Sequence, residues 1–206
     1  MDCAVKKTVH AIERNRDDVK QERRDWKEFQ RKVDAAKLIF LDESSVNTGM
    51  TRIYGRAIKS NRVTDAVPDT RFHRTTILSS MRLDGTIVPC VFEDSLNGDM
   101  FREYIRQFLL PTLKAGDIVI LDNLSAHKVS GIVELVESAG AQIRYLPPYS
   151  PDLNPIELMW SKLKACLRKF KVRCEKLLTD AIASALAAIS LSDILGWFVH
   201  NGYQLH

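Results

Sequence analysis

Two short apolar segments of the 206-residue chain each lead into an aspartate that could do chemistry. "LIFLDES" places Asp42 after one apolar run, and "IVILDN" places Asp122 after another. Both runs are typical of buried strands, and ligand sites in open α/β sheets lie beyond the carboxyl ends of strands. One aspartate in such a position is often only a turn or a helix cap. Two of them on neighbouring strands would point into one crevice.

Two carboxylates in one crevice repel each other, and a divalent cation is the natural reason for a protein to keep them there. Mg²⁺ and Mn²⁺ prefer carboxylate oxygen and water as ligands, and the sequence offers no softer alternative. The cysteines form no C-x-x-C pair, and no nearby histidines complete a zinc spacing. We therefore expect Mg²⁺ or Mn²⁺ at this site. Reduced thiols are expected at Cys3, Cys90, Cys166 and Cys174.

A third carboxylate is available in "YLPPYSPDLNPIELMW", at Asp152 or at Glu157. Its four prolines restrict the backbone and so fix where the following helix begins. Asn154 is a suitable N-cap and Pro155 a suitable first helical residue. Glu157 then takes the third helical position, where a capping box would use its side chain, and lies beside the apolar stripe of the helix. The residues alone leave metal ligation and capping equally open for Glu157.

The elements that must position these acids alternate between strands and helices, which predicts an α/β fold. "TTILSSMRLDGTIVPCVFE" predicts a hairpin because Asp84-Gly85 is a favoured tight turn. "NGDMFREYIRQFLLPTL" predicts a helix capped by Asn97 or Asp99, and "KVSGIVELVESAG" predicts a helix stopped by Gly140.

"GDIVILDN" and "AQIRYLP" predict further strands, and "TRIYGRAI" is a candidate strand. The segments that follow the prolines of "YLPPYSPDLNP" all have helical patterns. The result is a mixed central sheet flanked by helices. This plan matches an RNase H-like fold.

Composition and charge are those of one globular domain with a helical arm. Hydrophobic residues make up 45% of the chain and charged residues 27%, which is enough apolar material for a core. The formal net charge of +4 permits a polyanionic partner without requiring one. No apolar segment predicts a signal peptide or a membrane span. We place a helical linker or arm at residues 1–35 and the main domain at residues 36–206, and expect a cytoplasmic protein, or a nuclear one in a eukaryotic host.

Four segments together resemble the catalytic core of mariner-related transposases, and most closely the bacterial insertion sequence family numbered 630. They are "LIFLDES", "MTRIYGRA", "GDIVILDNLSAHK" and "YLPPYSPDLNPIELMWSKLK". The resemblance runs from about Lys6 to Tyr203. Between Asp122 and Glu157 lie 34 residues, which matches the Asp, Asp, 34-residue gap, Glu pattern of the group.

The resemblance implies an RNase H-like fold and a triad of Asp42, Asp122 and Glu157, all three catalytic and metal-binding. Two ions of Mg²⁺ or Mn²⁺ would bridge a phosphodiester, first for hydrolysis and then for transfer of the freed 3′-OH into target DNA at a TA step. Double-stranded DNA is the implied partner, and a homodimer is expected. Asp152 becomes a loop residue, and Glu43 a bystander on the other side of its strand.

Several residues near these motifs have two open interpretations. The resemblance places Asn123 and His127 near the active site, where they could position a phosphate or water. Alternatively, Asn123 turns the chain and His127 caps the following helix. Five basic residues could contact the DNA backbone or could simply be solvated. These are Arg52, Arg56, Lys162, Lys164 and Arg168.

The segment before the first predicted strand departs from the family pattern. Mariner-type transposases carry helix-turn-helix domains ahead of the core, whereas these roughly 35 residues lack that pattern. We expect them to form a linker that helps dimerisation, and we do not expect this chain alone to recognise specific element ends. Two other functions stay open: a nuclease that hydrolyses without joining strands, and a non-catalytic DNA-binding remnant of a transposase.

Overall fold

A five-stranded mixed sheet forms the centre of the protein. The structure, a computed structural model, describes residues 11–52, 57–58, 62–64, 66, 74–93, 95–124 and 127–205. The strands are β1 (Leu38–Asn47), β2 (Arg74–Arg82), β3 (Ile87–Phe92), β4 (Ile118–Leu121) and β5 (Gln142–Tyr145). Their order is β3-β2-β1-β4-β5, with β1 and β2 antiparallel, β2 and β3 antiparallel, and β1, β4 and β5 parallel. The predicted mixed sheet is confirmed, and β1 is its central strand.

Helices cover both faces of this sheet. They are α1 (Asp17–Lys32), α2 (Gly98–Tyr104), α3 (Ile132–Ser138), α4 (Ile156–Phe170), α5 (Glu175–Ala187) and α6 (Leu191–His200). One core packs buried side chains of α1, α4, α5 and α6 against the sheet, and the second packs those of α2 and α3 against the other face. This arrangement of three layers buries both surfaces of β1 and β4, which explains their continuous apolar runs.

Local sequence signals account for several element boundaries. The predicted hairpin is present: Gly85 has φ 94°, and the Asp84 carboxylate accepts a hydrogen bond from the Thr86 N–H at 2.9 Å. Asn97 caps α2 by accepting from the Met100 N–H at 2.9 Å. Gly140, with φ 73°, follows the end of α3 as predicted. Of the predicted strand "TRIYGRAI", residues 51, 52, 57 and 58 are described and do not belong to a strand, and residues 53–56 lie outside the described residues.

One boundary prediction is wrong. Asp42 does not end its strand, because β1 continues to Asn47. The extension is stabilised by β2, which pairs with β1 in antiparallel register from Ile39↔Arg82 to Asn47↔Arg74. The short parallel strand β4, in contrast, ends at Leu121. A local reading of the apolar run could not reveal this, because the partner strand that prolongs β1 lies some thirty residues further along the chain.

The N-terminal helix α1 is docked on the domain rather than exposed along its whole length. Trp26 is 3% exposed and donates a hydrogen bond from its indole N–H to the Tyr203 hydroxyl at 3.2 Å. Gln30 donates to the Asn201 carbonyl at 2.9 Å, and the guanidinium of Arg144 in β5 lies 3.8 Å from the centroid of the Phe29 ring. The predicted helix is confirmed; the domain boundary at residue 35 stays a prediction.

The cysteines and the helix lengths can be described for the part of the chain outside the gaps. Cys90, Cys166 and Cys174 are free thiols. Among the described helices, no single one is long and apolar enough to cross a membrane. The consecutive helices α5 and α6 have enough length and apolar character only when taken together, and they are bent by 75° relative to each other.

We predict that α1 contributes to global stability through Trp26. Replacing Trp26 with Ala removes a buried indole and its hydrogen bond to Tyr203, so the free energy of unfolding should fall by about 3–5 kcal/mol. Equilibrium unfolding in urea measures this difference. The matched control is Trp197→Ala, which removes a partly buried indole and should cost less. An unchanged midpoint for Trp26→Ala would show that α1 is not docked in solution.

Candidate active site

The sheet brings Asp42 and Asp122 to the same level. In the parallel pairing of β1 and β4, Phe40 lies opposite Ile120, and two residues further along each chain come Asp42 and Asp122. Phe40 and Ile120 belong to the core that packs against α4. Because side chains alternate along a strand, Asp42 faces the same side as Phe40. Asp122 directly follows the end of β4 and lines the same pocket as Asp42. The two acids predicted to share a crevice therefore do so.

Glu157 enters the same crevice from the first turn of α4. It lines, together with Asp42 and Asp122, one pocket of about 500 Å³, a size within the range of ligand pockets. The remaining wall is built by the residues that follow β4 and by the proline loop, which we define as residues 146–154. Three carboxylates, from β1, from the residue after β4 and from α4, thus line one pocket.

The predicted cap of α4 is wrong, and its correction reveals a contact that sequence reasoning missed. No side chain caps this helix, whose N-cap position is occupied by Pro155. The Asn154 side chain turns instead to Asp42 and donates from Nδ2 to Oδ2 at 3.2 Å. Its Oδ1 is buried and has no hydrogen-bond partner within the described part of the chain. Glu157 is thereby free of any capping role, and Asn154 orients Asp42.

Asp122 is held by groups that all bind one of its two oxygens. Oδ1 accepts from the Leu124 N–H at 3.0 Å and lies 2.6 Å from His127 Nδ1. His127 is completely buried, and its Nε2 lies 3.0 Å from Glu43 Oε2. His127 does not cap α3, which begins after Gly131. The interpretation of Glu43 as a bystander is also wrong, because this carboxylate contacts the imidazole that holds Asp122.

Charge crowding is greatest at Asp42. Burial, and then the negative charges of Glu157, Glu43 and Asp122, raise the pKa of Asp42 well above its ordinary value. Desolvation also raises the pKa of Glu157; the charges of Asp122 and Glu43 add to this effect, and Lys164 opposes it. The pKa of Asp122 is lowered, because the bonds from His127 and Leu124 outweigh the effect of its burial.

The pKa of His127 also reflects the excess of negative charge at this site. Burial alone would lower the pKa of this imidazole, but the hydrogen bond to Asp122 and the Glu43 carboxylate raise it to about 9. The site therefore combines several carboxylates with few compensating cations. Added positive charge in the pocket would favour the ionised form of Asp42.

The carboxylates share the pocket without converging on one point. No three histidine, cysteine, aspartate or glutamate side chains are placed so that they could hold one metal ion together, among the residues that the structure describes. Hard oxygen donors are nevertheless present in the pocket: the carboxylates of Asp42, Asp122 and Glu157. Asn154, which also lines the pocket, adds an amide oxygen that has no hydrogen-bond partner among the described residues.

The other predicted residues divide into those near the pocket and those away from it. Asn123 lies in the pocket wall and donates from Nδ2 to the Leu146 carbonyl at 2.5 Å, which ties the end of β4 to the proline loop. Arg52 is exposed and is not part of the pocket wall. Arg56 lies outside the described residues.

The basic residues of α4 point in two directions. Lys164 and Arg168 follow Glu157 by seven and eleven positions, a spacing that places all three on one stripe of the helix. Lys164 is close enough to lower the pKa of Glu157. Lys162 lies off this stripe and pairs with Asp193, the residue that also closes the capping box of α6. This ion pair thus links α4 to α6.

The proline loop is fixed by α1, a role that the sequence did not predict for Asp152. Arg23 of α1 donates to both carboxylate oxygens of Asp152, at 3.0 and 2.7 Å, and to the Ser150 hydroxyl at 2.5 Å. Arg14 donates to the same carboxylate at 3.0 Å. Asp152 is therefore a structural anchor for the loop that carries the pocket wall.

The C-terminal segment fixes the same loop through its backbone. Asn201 donates to the Asp152 carbonyl at 2.8 Å, and the Tyr203 hydroxyl donates to the Leu153 carbonyl at 2.8 Å. The loop is thus bonded to segments near both ends of the described chain. This explains how its backbone can be held between β5 and α4 with only one 3₁₀ turn, Pro151–Leu153, as regular structure.

Comparison with known proteins places these features in a family and a fold. The model of the DDE superfamily endonucleases matches residues 37–179. A search of curated protein sequences finds no match. Solved structures of Mos1 transposase are similar over nearly the whole chain at low sequence identity.

The Mos1 paired-end complex with the left transposon end has a TM-score of 0.73 at 13% identity, over 96% of this chain and 62% of that chain. The Mos1 mariner paired-end complex with Mn has a TM-score of 0.73 at 14% identity, over 97% and 63%. The catalytic domain of Mos1 mariner transposase has a TM-score of 0.67 at 13% identity, over 94% and 91%.

This chain therefore spans about 62% of the length of the first of these proteins and matches most of the isolated catalytic domain. The RNase H-like fold is confirmed. The narrower resemblance to insertion sequence family 630 stays a prediction.

We predict that Asp152 stabilises the protein in a pH-dependent manner. Its partial burial opposes ionisation, but Arg23 and Arg14 lower its pKa. A lowered folded-state pKa means that the stabilisation is complete above the unfolded value of about 4 and is lost as pH falls through the folded value. Asp152→Asn should therefore lower the free energy of unfolding by about 1–2 kcal/mol at pH 7, allowing for the exposure of the carboxylate.

Thermal unfolding of both proteins between pH 7 and acid conditions tests this prediction. The difference between wild type and Asp152→Asn should shrink as the pH falls below about 4. Asp180→Asn, on an exposed position of α5, is the control and should track the wild type throughout. A difference between Asp152→Asn and wild type that does not depend on pH would refute the ion-pair explanation.

Proposed function

Because this chain belongs to the DDE superfamily endonucleases, we propose that it is a transposase catalytic core that cleaves DNA and transfers the freed strand end. The observation that carries this proposal is the gathering of Asp42, Asp122 and Glu157 around one pocket. These acids come from three elements that are far apart in sequence, and only the fold brings them together. The similar Mos1 proteins were solved with a transposon end and as a strand transfer complex, which supports a DNA substrate.

Asp42, Asp122 and Glu157 would hold Mg²⁺ or Mn²⁺. Two observations fit this assignment: the pocket offers hard oxygen donors, and the pKa of Asp42 is raised by its burial and by the neighbouring negative charges. Mg²⁺ binds through one or two carboxylates and keeps several waters, so three converging side chains are not required. We propose two ions, which Asp42, Asp122 and Glu157 together would hold, because all three carboxylates line the same pocket. Mos1 structures contain Mn or Mg.

When bound, such ions would acidify a water for attack on phosphorus and neutralise charge on the leaving 3′ oxygen. The protein's contribution is orientation. Asn154 fixes one oxygen of Asp42, and His127 with Leu124 occupies Oδ1 of Asp122, which leaves Oδ2 for a ligand. Preorganised ligands of this kind need little rearrangement when substrate arrives.

Positive charge beside the pocket would receive the DNA backbone. Lys164 and Arg168 continue the stripe that begins at Glu157, so they are the best placed of the predicted DNA contacts. Arg52 is exposed and remains part of the proposal. The DNA partner is double-stranded, with element ends as donor and a TA step as target, and the active form is a homodimer.

We predict that Asp122→Asn abolishes DNA cleavage. The variant removes a carboxylate charge while preserving shape, so nicking of a supercoiled plasmid with Mg²⁺ or Mn²⁺ should fall roughly 100-fold or more. Calorimetric titration with Mn²⁺ should show weakened or lost binding in the same variant. Asp180→Asn is the matched surface control and should behave as wild type. Nicking that survives Asp42→Ala would contradict the triad outright.

The reaction products decide between strand transfer and hydrolysis alone. An oligonucleotide with a free 3′-OH, incubated with a plasmid that contains TA steps, should become covalently joined to the plasmid. Nicked plasmid without joined product would identify a nuclease. Equal Mn²⁺ binding by wild type and Asp122→Asn, with no cleavage by either, would identify a non-catalytic remnant.

A further inference from the structure

A second basic feature lies along α1 and the segment that precedes it, outside the carboxylate pocket. It is a groove of about 620 Å³, which we call the α1 groove. Among the described residues, its lining holds one alanine, one asparagine and five basic side chains, with no acid. The basic residues are Arg14, Lys20, Arg23, Arg24 and Lys27. Such a concentration of one sign of charge along a concave surface favours a polyanion.

The charges in this groove are only partly balanced. Arg14 and Arg23 share the single carboxylate of Asp152, and Lys20 pairs with Asp17 at 3.2 Å. Arg24, by contrast, donates to the neutral amide oxygen of Gln21, at 2.5 and 3.2 Å. Lys27 is exposed and forms no salt bridge with any residue that the structure describes. The groove therefore presents exposed cations beside the buried guanidinium of Arg23, which is fixed in place.

The groove and the carboxylate pocket lie on two sides of one loop. Arg23 in the groove binds Asp152 and Ser150, and Ser150 also lines the pocket. A DNA strand that leaves the pocket across the proline loop would reach the groove without leaving the protein surface. An acidic protein segment would satisfy the same charges, but it would have no reason to lie next to a cleavage site. Continuity with the pocket favours DNA.

We propose that the α1 groove binds the phosphate backbone of DNA flanking the cleavage position, with Arg24 and Lys27 as the principal contacts. This inference rests on the proposed function, since it assumes DNA in the pocket. It assigns to the N-terminal helix a sequence-independent contribution to affinity, because lysine and arginine contacts to phosphate read charge rather than base identity. These contacts on α1 would be additional to those proposed for Lys164 and Arg168 on α4.

Salt-dependent DNA binding by the full chain tests the proposal. A fluorescent duplex is titrated with wild type and with the double variant Arg24→Gln, Lys27→Gln, in EDTA so that no cleavage occurs. Glutamine keeps the helix propensity of both positions. At about 0.1 M salt the affinity should fall roughly tenfold or more, and the slope of log affinity against log salt should lose about two units of magnitude.

The matched control removes the same charge from the same helix outside the groove. Arg31→Gln with Lys32→Gln should leave the salt slope close to that of wild type. Equal losses in both double variants would reduce the effect to net charge and overturn the proposal. So would unchanged DNA binding by the groove variant, or a loss of binding to poly-glutamate but not to DNA, which would assign the groove to an acidic protein.

Failure of this inference is distinguishable from failure of the proposed function. If Asp122→Asn abolishes cleavage while the groove variant binds DNA like wild type, only the groove assignment is wrong. If the groove variant loses DNA binding while Asp122→Asn leaves cleavage unchanged, only the catalytic assignment is wrong. The first measurement needs metal and the second excludes it, so neither result depends on the other.

Discussion

Carboxylate crowding around Asp42 is the constraint on which the rest of the site depends. This side chain is buried on the central strand, and three other acids contribute to raising its pKa. Unpaired charge in such surroundings destabilises the folded state, so the surrounding frame must hold the carboxylates in place by other means. Asn154 binds Asp42, and the Glu43–His127 pair fixes Asp122 from the opposite face of the sheet. Polar groups outside the triad thus hold the three carboxylates close together against their mutual repulsion.

The frame owes its rigidity to contacts between segments that are far apart in sequence. Arg23 and Asp152 are separated by 129 positions, and Asn154 and Asp42 by 112. The proline loop supplies few backbone conformations to begin with, and bonds from α1 and from the C-terminal segment select one of them. Stiffness in the loop is therefore a joint product of its prolines and of these distant partners.

This division explains which features were predictable from the sequence. Asp42 and Asp122 were found because an apolar strand precedes each of them. The helix start after the prolines made Glu157 a candidate, but only the family resemblance favoured it as a metal ligand over a helix cap. The hairpin at Asp84-Gly85 was likewise found from a local signal. Asn154 was misassigned because an asparagine before a proline-led helix is a good cap on local grounds, and the acid it binds instead is distant. The length of β1 and the roles of Glu43 and Asp152 likewise depend on contacts with residues distant in sequence, which no local sequence pattern predicts.

The same geometry implies that the site forms only when the whole domain has folded. Asp42 lies on β1, Glu157 follows a loop that needs Arg23 of α1, and Tyr203 near the other end of the chain closes that loop. Bringing such segments together costs loop-closure entropy, which contacts elsewhere in the domain must offset. The same long-range bonds that gather the acids also restrain them, since Asn154 binds Asp42 and Arg23 holds the loop that leads to Glu157. Without these bonds the carboxylates would repel one another.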